Sequence, residues 1–169
     1  SLAPCDVAAL RNALRRVAST VHVVAIRRDE GVFFATTATA VVSVSLQPPT
    51  LLVCLNRAAA MGDVILQQDV FTISALKAGQ GDIATACAGR VEHEKREAYF
   101  SLSPTIENAP LLIGAQATFV CRRTHSAIHG THVIVWGQVI DVSSNPEVAP
   151  LLYLNGGYGG FYPASADPR

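Results

Sequence analysis

Three histidines within eight residues, His125, His129 and His132, form the densest set of imidazoles, potential metal ligands or proton carriers, in this 169-residue chain. Imidazoles at such short range can ligate zinc. Here Gly130 and the β-branched residues around it break the helical geometry that the spacing would suit, and no carboxylate or thiol nearby completes a set, so no metal is assigned. Cys5, Cys54, Cys87 and Cys121 contain no C-x-x-C pair and read as small buried hydrophobes of a reducing compartment. His22 sits inside an apolar strand and His93 inside the charge run EHEKRE, where structural and solvated roles are expected.

A second kind of chemistry uses backbone. Residues 35–56, ATTATAVVSVSLQPPTLLVCLN, begin with alternating small and β-branched side chains that favour extended chain and present almost no bulk. A flat heterocycle bearing carbonyls and ring nitrogens could lie against such a strand and reach its N–H and C=O groups; a tightly packed strand would have the same composition. Pro48 and Pro49 force a corner, after which residues 50–55 restart as an apolar strand.

The elements that must position this stretch follow from periodicity. Asp6 caps a predicted helix over 6–18 with Val7, Leu10, Leu14 and Val17 on one stripe, leaving Arg11, Arg15 and Arg16 as a solvated face. Residues 20–26 and the chain from Val32 onward read as a hairpin around Asp29-Glu30-Gly31. A helix is expected over 58–67, a strand over 70–75, a helix over 80–88, and a solvated helix or loop over 92–97, where Glu92 and Arg96 can pair across one turn. Long strands over 115–123 and 133–142 are joined by THSAIHGTH, a short strand covers 151–154, and 156–169 is a loose glycine-rich tail. No repeat or linker divides residues 1–169, which read as one mostly β domain with inserted helices, a small Greek-key barrel.

Composition narrows the function classes. Thirteen basic and thirteen acidic residues cancel, and the basic ones form no aromatic-interleaved stripe, so nucleic acid is not an expected partner. No apolar run reaches the length of a membrane span and no basic-then-apolar leader opens the chain, which makes the cytoplasm the expected location. Half the residues are hydrophobic and only 15% charged, an excess that a homo-oligomer interface would absorb.

The string ATAVVSVSLQPPTLLVCLN with the AAAM that follows, together with CAGR at 87–90, GAQATFVCR at 114–122, GTH at 130–132 and PLLYLNGGY at 150–158, resembles the short-chain flavin reductases. The similarity is strongest to the reductase components of two-component 4-hydroxyphenylacetate 3-monooxygenases. That resemblance implies an FMN-binding split barrel, commonly a homodimer, which passes hydride from NADH or NADPH to FMN or FAD and supplies reduced flavin to a partner monooxygenase. It places Thr37, Ala38, Thr39 and Ala40 along the isoalloxazine, Val53, Cys54, Leu55 and Asn56 on the adjoining strand end, and the flavin phosphate at the start of the 58–67 helix near Arg57, Ala59, Ala60 and Met61. His132 of GTH becomes an orienting contact near the nicotinamide, Arg90 and Tyr158 become cofactor contacts, and residues 92–97 a cover near the entrance. Such chemistry needs stacked rings and excluded water rather than a covalent nucleophile or a metal.

Two departures stand out. Ala59 replaces a serine common in relatives, a loss of about 1.5–3 kcal/mol unless Arg57 or Arg90 compensates, so flavin is expected to bind reversibly, as a substrate. Gly156 and Gly157 replace two basic residues before Tyr158, removing charges that could meet a nucleotide phosphate. These changes keep two alternatives in play: a flavin storage or relay protein without efficient NAD(P)H turnover, and a flavin-mediated reductase of a corrinoid or other small acceptor.

Overall fold

The computed structural model describes residues 3–89 and 93–164, without the side chains of His93 and Glu94. In chain order the elements are α1 (Val7–Leu14), β1 (Ser19–Thr20), β2 (His22–Arg27), β3 (Phe33–Ala38), β4 (Val41–Leu46), β5 (Pro49–Asn56), a 3-10 helix (Gly62–Gln67), β6 (Val70–Ala75), α2 (Gly81–Ala88), α3 (His93–Glu97), β7 (Phe100–Leu102), β8 (Pro110–Leu112), β9 (Ala117–His129), β10 (His132–Ser144), β11 (Leu152–Leu154) and β12 (Gly157–Gly159).

Seven strands form one antiparallel sheet in the order β3-β2-β6-β9-β10-β5-β4. Its two edge strands, β3 and β4, are neighbours in sequence, separated only by Thr39 and Ala40. A two-residue link cannot span the width of a flat seven-stranded sheet, so the sheet curls until its edges nearly meet. The Cys54 N–H donates to the Ala40 carbonyl at 3.0 Å, extending the β4–β5 pairing to the edge of that seam, while β3 and β4 themselves do not pair. The result is a barrel split along one side, as the sequence suggests.

The strand β2 is buried on both faces, which explains its unbroken apolar run. Val24 and Ile26 join Phe71, Ile73, Val53, Val133 and Val135 inside the barrel, whereas Val23 and Ala25 pack outward with Leu76, Ala84 and Cys87 under α2. Each fully buried Val, Ile or Phe contributes roughly 1.5–3 kcal/mol, and the outer layer fastens α2 to the sheet. Gly137 lies at a register shift in β10, and a Cβ there would sit 2.6 Å from the Phe71 ring and 2.7 Å from the Cys121 Cβ.

Several elements differ from their sequence expectation. The first helix starts where Asp6 accepts the Ala8 N–H at 3.0 Å but ends at Leu14, and its apolar stripe is exposed rather than packed, with Val7, Leu10, Leu14 and Val17 all at least 48% accessible. The helix expected over 58–67 is a turn through residue 61 followed by the 3-10 helix, because Gly62 at φ +27° lets the chain bend where a Cβ would collide with the Arg57 carbonyl oxygen. The THSAIHGTH linker is strand: β9 and β10 continue to a tight turn at Gly130 and Thr131, with β-branched residues sustaining the pairing. Part of the 156–169 tail is likewise ordered as β12, paired to β11, with the Tyr158 ring 5.5 Å from that of Tyr153.

Candidate functional site

The seam opens into a cleft of about 660 Å³, within the range of small-molecule sites. One wall is residues 36–40, where β3 ends and the chain crosses toward β4. The floor is the end of β5, Cys54, Leu55 and Asn56, with Ala58, Ala59 and Ala60 of the turn beyond it and His132 beside it. The opposite wall is the C-terminal end of α2, Cys87, Ala88 and Gly89, with Arg96 of α3. No aspartate or glutamate lines it among the described residues.

The sheet wall keeps its side chains small and partly occupied. The Thr37 hydroxyl donates to the Ala84 carbonyl at 2.6 Å, tying β3 to α2, so it is committed to structure. Thr39 and Ala40 are exposed at the break between the edge strands. Asn56 ends β5 by accepting the Ala58 N–H on its side chain at 2.9 Å and the Ala59 N–H on its carbonyl at 3.0 Å, leaving its side-chain amide N–H groups for a ligand. His132 faces Asn56 across the β10–β5 register, and its Nδ1 lies 2.9 Å from the Thr131 hydroxyl. A Thr131 O–H donated to Nδ1 places the imidazole proton on Nε2.

The helical wall carries the charge. Arg96 is only 3% exposed; Nη1 donates to the Ala35 carbonyl at 3.0 Å, Nη2 donates to the Gly89 carbonyl, and Nε has no partner. Spacing alone reads Arg96 as part of a solvated run, and that reading is corrected here: β3 and α2 both present carbonyls to the guanidinium, which draws it inward. Glu92, its suggested partner, lies outside the described residues. Burial pushes the Cys87 thiol up to about 11, with the Arg96 charge pulling the other way, and burial also raises the Cys54 thiol. Both are thiols, not thiolates, at neutral pH.

Of the residues named from sequence, the cleft brings together Thr37, Ala38, Thr39, Ala40, Cys54, Leu55, Asn56, Ala59, Ala60 and His132. Val53 and Met61 lie instead in the barrel core, fully buried, because strand alternation and the turn at Gly62 send them inward. Arg57 turns away and grips Asp63 through two bonds of 2.8 and 2.7 Å, a pairing that raises the guanidinium and holds the carboxyl below its usual range. Tyr158 packs over Gly81 at the start of α2 and does not line the cleft; Arg90 lies outside the described residues. Thr36, Ala58, Cys87, Ala88, Gly89 and Arg96 line the cleft without having been singled out as site residues. The CAGR string marks part of that wall, but nothing local distinguishes a buried arginine from a solvated one. Among the described residues no three His, Cys, Asp or Glu converge as metal ligands; along an extended strand His125 and His129 are about 13 Å apart.

The cleft fits a flavin on its own features: a wall of small residues at an open sheet seam, polar groups of Thr39, Asn56 and His132 free to address a ligand, and a buried cation without a carboxylate partner among the described residues. Comparison with known proteins agrees. Residues 14–162 match the family model described as a flavin reductase like domain. The chain is 35% identical over 150 residues to the FMN reductase (NADH) RutF of Stutzerimonas stutzeri (strain A1501), covering 89% of this chain and 86% of that protein. It is 34% identical over 159 residues to the reductase component of the FADH(2)-dependent resorcinol hydroxylase of Rhizobium sp. (strain MTP-10005), covering 91% and 87%. Its fold superimposes with a TM-score of 0.87 and 28% identity on the NADH:FAD oxidoreductase SgcE6 of Streptomyces globisporus C-1027, solved in complex with NAD and FAD fragments, over 98% of this chain and 99% of that one. A split barrel with this cleft, matched along nearly its whole length by such relatives, belongs to the flavin reductase like domain family.

Proposed function

We propose that the chain is an NAD(P)H:flavin oxidoreductase that supplies reduced FMN or FAD to a separate monooxygenase. The observation that carries this reading is the cleft at the split seam, whose composition and position accompany a family match over most of the chain. When bound, the flavin accepts at N5 the hydride that nicotinamide gives up from C4. The protein's part is to stack the two rings in contact and keep water out.

The small residues 37–40 supply the face against which the ring lies, and backbone groups along them address its polar edge. Thr39 and the Asn56 amide are the side chains available to the ring edge and ribityl hydroxyls. His132, with Nε2 as donor, orients the nicotinamide rather than carrying a proton through the reaction. The phosphate faces the 57–61 turn, where two N–H groups are already taken by Asn56 and Arg57 is held by Asp63. That poverty of donors supports flavin as an exchanging substrate, as delivery to a second enzyme requires.

Two finer points belong to the same reading. The chain works as a homodimer, supported by the exposed apolar residues Val42, Val44 and Leu46 on edge strand β4 and by the unpacked stripe of α1. It works in the cytoplasm, where nicotinamide nucleotides are plentiful; its four cysteines are free, and no helix among the described residues is long and apolar enough to cross a membrane.

Anaerobic stopped-flow absorbance tests the activity: protein mixed with excess FMN or FAD, then NADH or NADPH, bleaches the flavin band over many turnovers and identifies the preferred pair. Flavin binding without bleaching would end the reductase reading. Light scattering after gel filtration tests the dimer, which a monomeric mass would remove.

A further inference from the structure

Beside the cleft runs a second hollow, a groove of about 1220 Å³ between α1 and the edge of the barrel. Thr39 and Ala40 line both, so the two spaces join at the end of the 37–40 wall. The far side of the groove is α1, held in place by the pairing of Ser19 with Tyr153 just beyond it and by the Asn155 N–H, which donates to the Arg15 carbonyl at 3.0 Å. Spacing reads Arg11, Arg15 and Arg16 alike as a solvated face; the structure separates them. Arg16 bends back to donate to the carbonyl and the side-chain oxygen of Asn12, whereas Arg11 and Arg15 line the groove. Four residues apart on one helix, these two are surface neighbours, a like-charged pair that weakens an isolated helix and that an anion held between them relieves. Arg11 lies one step, about 100°, round the helix from Leu10 of the apolar stripe. The charged flank and the centre of that stripe therefore look in different directions, and a second copy can cover one without filling the other.

We propose that Arg11 and Arg15 bind the diphosphate of the nicotinamide donor, with its adenosine laid along the groove against Tyr153. This rests on the flavin reductase reading, in which two nucleotides meet ring to ring. A cleft of about 660 Å³ that takes a flavin and stacks a nicotinamide on it leaves the rest of the donor to lie outside, and the groove opens from the same wall. Guanidinium N–H groups match phosphate oxygens in geometry as well as charge. Tyr153, with its ring 5.5 Å from that of Tyr158 and still 38% exposed, offers an aromatic surface on which adenine stacks. In the same reading the flavin's own tail leads elsewhere, past Asn56 to the 57–61 turn rather than beyond Thr39 and Ala40. Arginines exposed to water hold a diphosphate without locking it, which suits a donor that must leave oxidised at every turnover.

The test separates the two halves of the donor. Steady-state rates with FMN, which has no adenosine half of its own, compare the preferred dinucleotide, NADH or NADPH, with reduced nicotinamide mononucleotide, which carries the same reacting ring without the adenosine half. The proteins are the native chain, the double variant Arg11→Gln/Arg15→Gln, the double variant Arg11→Lys/Arg15→Lys and Arg16→Gln, with melting curves as a check on folding. The native chain is expected to favour the dinucleotide in kcat/KM; the double glutamine variant loses about tenfold of that preference, through KM, and the double lysine variant keeps most of it. Arg16→Gln, which removes a charge from the same helix outside the groove, is expected to match the native chain. A preference retained in the double glutamine variant, or an equal loss toward both donors, would overturn the proposal. So would the same loss in Arg16→Gln, which would assign the effect to net charge. Dissociation constants of oxidised FAD and FMN complete the test: their ratio is expected to be the same in the native chain and the double glutamine variant. Weakened FAD binding alone, with the donor preference intact, would give the groove to the flavin's adenosine half and overturn the proposal as well. No turnover by the native chain with either donor and either flavin would remove the reductase reading itself, and this proposal with it.

Discussion

One wall of the cleft is a sheet edge, residues 36–40 over the end of β5; the other is the end of α2 with Arg96 from α3. The first is neutral, shaped by backbone and by side chains no larger than threonine. The second contributes the charge, held by bonds to carbonyls of the first wall and of α2 itself. The sheet wall is set by register along whole strands, so it tolerates the loss of any one contact. The helical wall hangs on few contacts: the Thr37–Ala84 bond, the two Arg96 bonds and the packing of Ala84 and Cys87. Shape and electrostatics in this site are therefore separable by mutation.

The largest expected effect comes from filling the neutral wall. Ala40 is exposed at the seam, so Ala40→Phe should leave the fold intact while weakening flavin binding about a hundredfold, close to 2.8 kcal/mol. Flavin fluorescence titration checks this; unchanged affinity would mean that the ring lies elsewhere. Next comes the turn at the floor. Gly62→Ala meets both a positive φ and the Arg57 carbonyl, and should cost about 1–3 kcal/mol, read as a lower urea midpoint at unchanged slope.

Loosening the two walls from each other is a smaller perturbation. Thr37→Val removes the hydroxyl that bonds the Ala84 carbonyl and should cost about 1 kcal/mol of stability, with faster amide exchange in α2 than in β3. Equal exchange in both would show that the helical wall does not depend on that bond.

The smallest effect is one of pH. His22 pairs with Ala38 behind the sheet wall, and burial holds its imidazole below the ordinary 6.5, against the backbone bonds of Thr20 and Ala38 that raise it. Its Nδ1 is buried without a partner. The unfolded chain therefore binds more protons than the folded one as pH falls below 6.5, so stability is full above that value and declines toward the folded value. Melting temperatures at pH 7.5 and 5.5 should differ less in His22→Gln than in the native chain.

Much of the neutral wall was legible beforehand because its signals are local. Small and β-branched residues over 35–42, a proline corner and an asparagine at a strand end each specify their own backbone. Within that stretch strand alternation still divided neighbours, sending Val53 inward while Cys54 reaches the cleft. The charged wall was illegible for the opposite reason. In EHEKRE every residue has the chemistry of solvent exposure, and it takes the carbonyl of Ala35, brought from the far strand β3, together with that of nearby Gly89, to hold the arginine inside.

Arg57 and Tyr158 teach the same lesson in reverse: their types suit a nucleotide, yet Asp63 six residues on and the β11–β12 hairpin hold them away from the cleft. By itself the sequence determined the strand-rich class, the small-residue stretch and the proline corner, all properties of residues close in the chain. The meeting of β3 with β5 across the seam, and the charge it encloses, belonged to tertiary structure alone, because closing a curled sheet depends on the pairing of strands far apart in sequence.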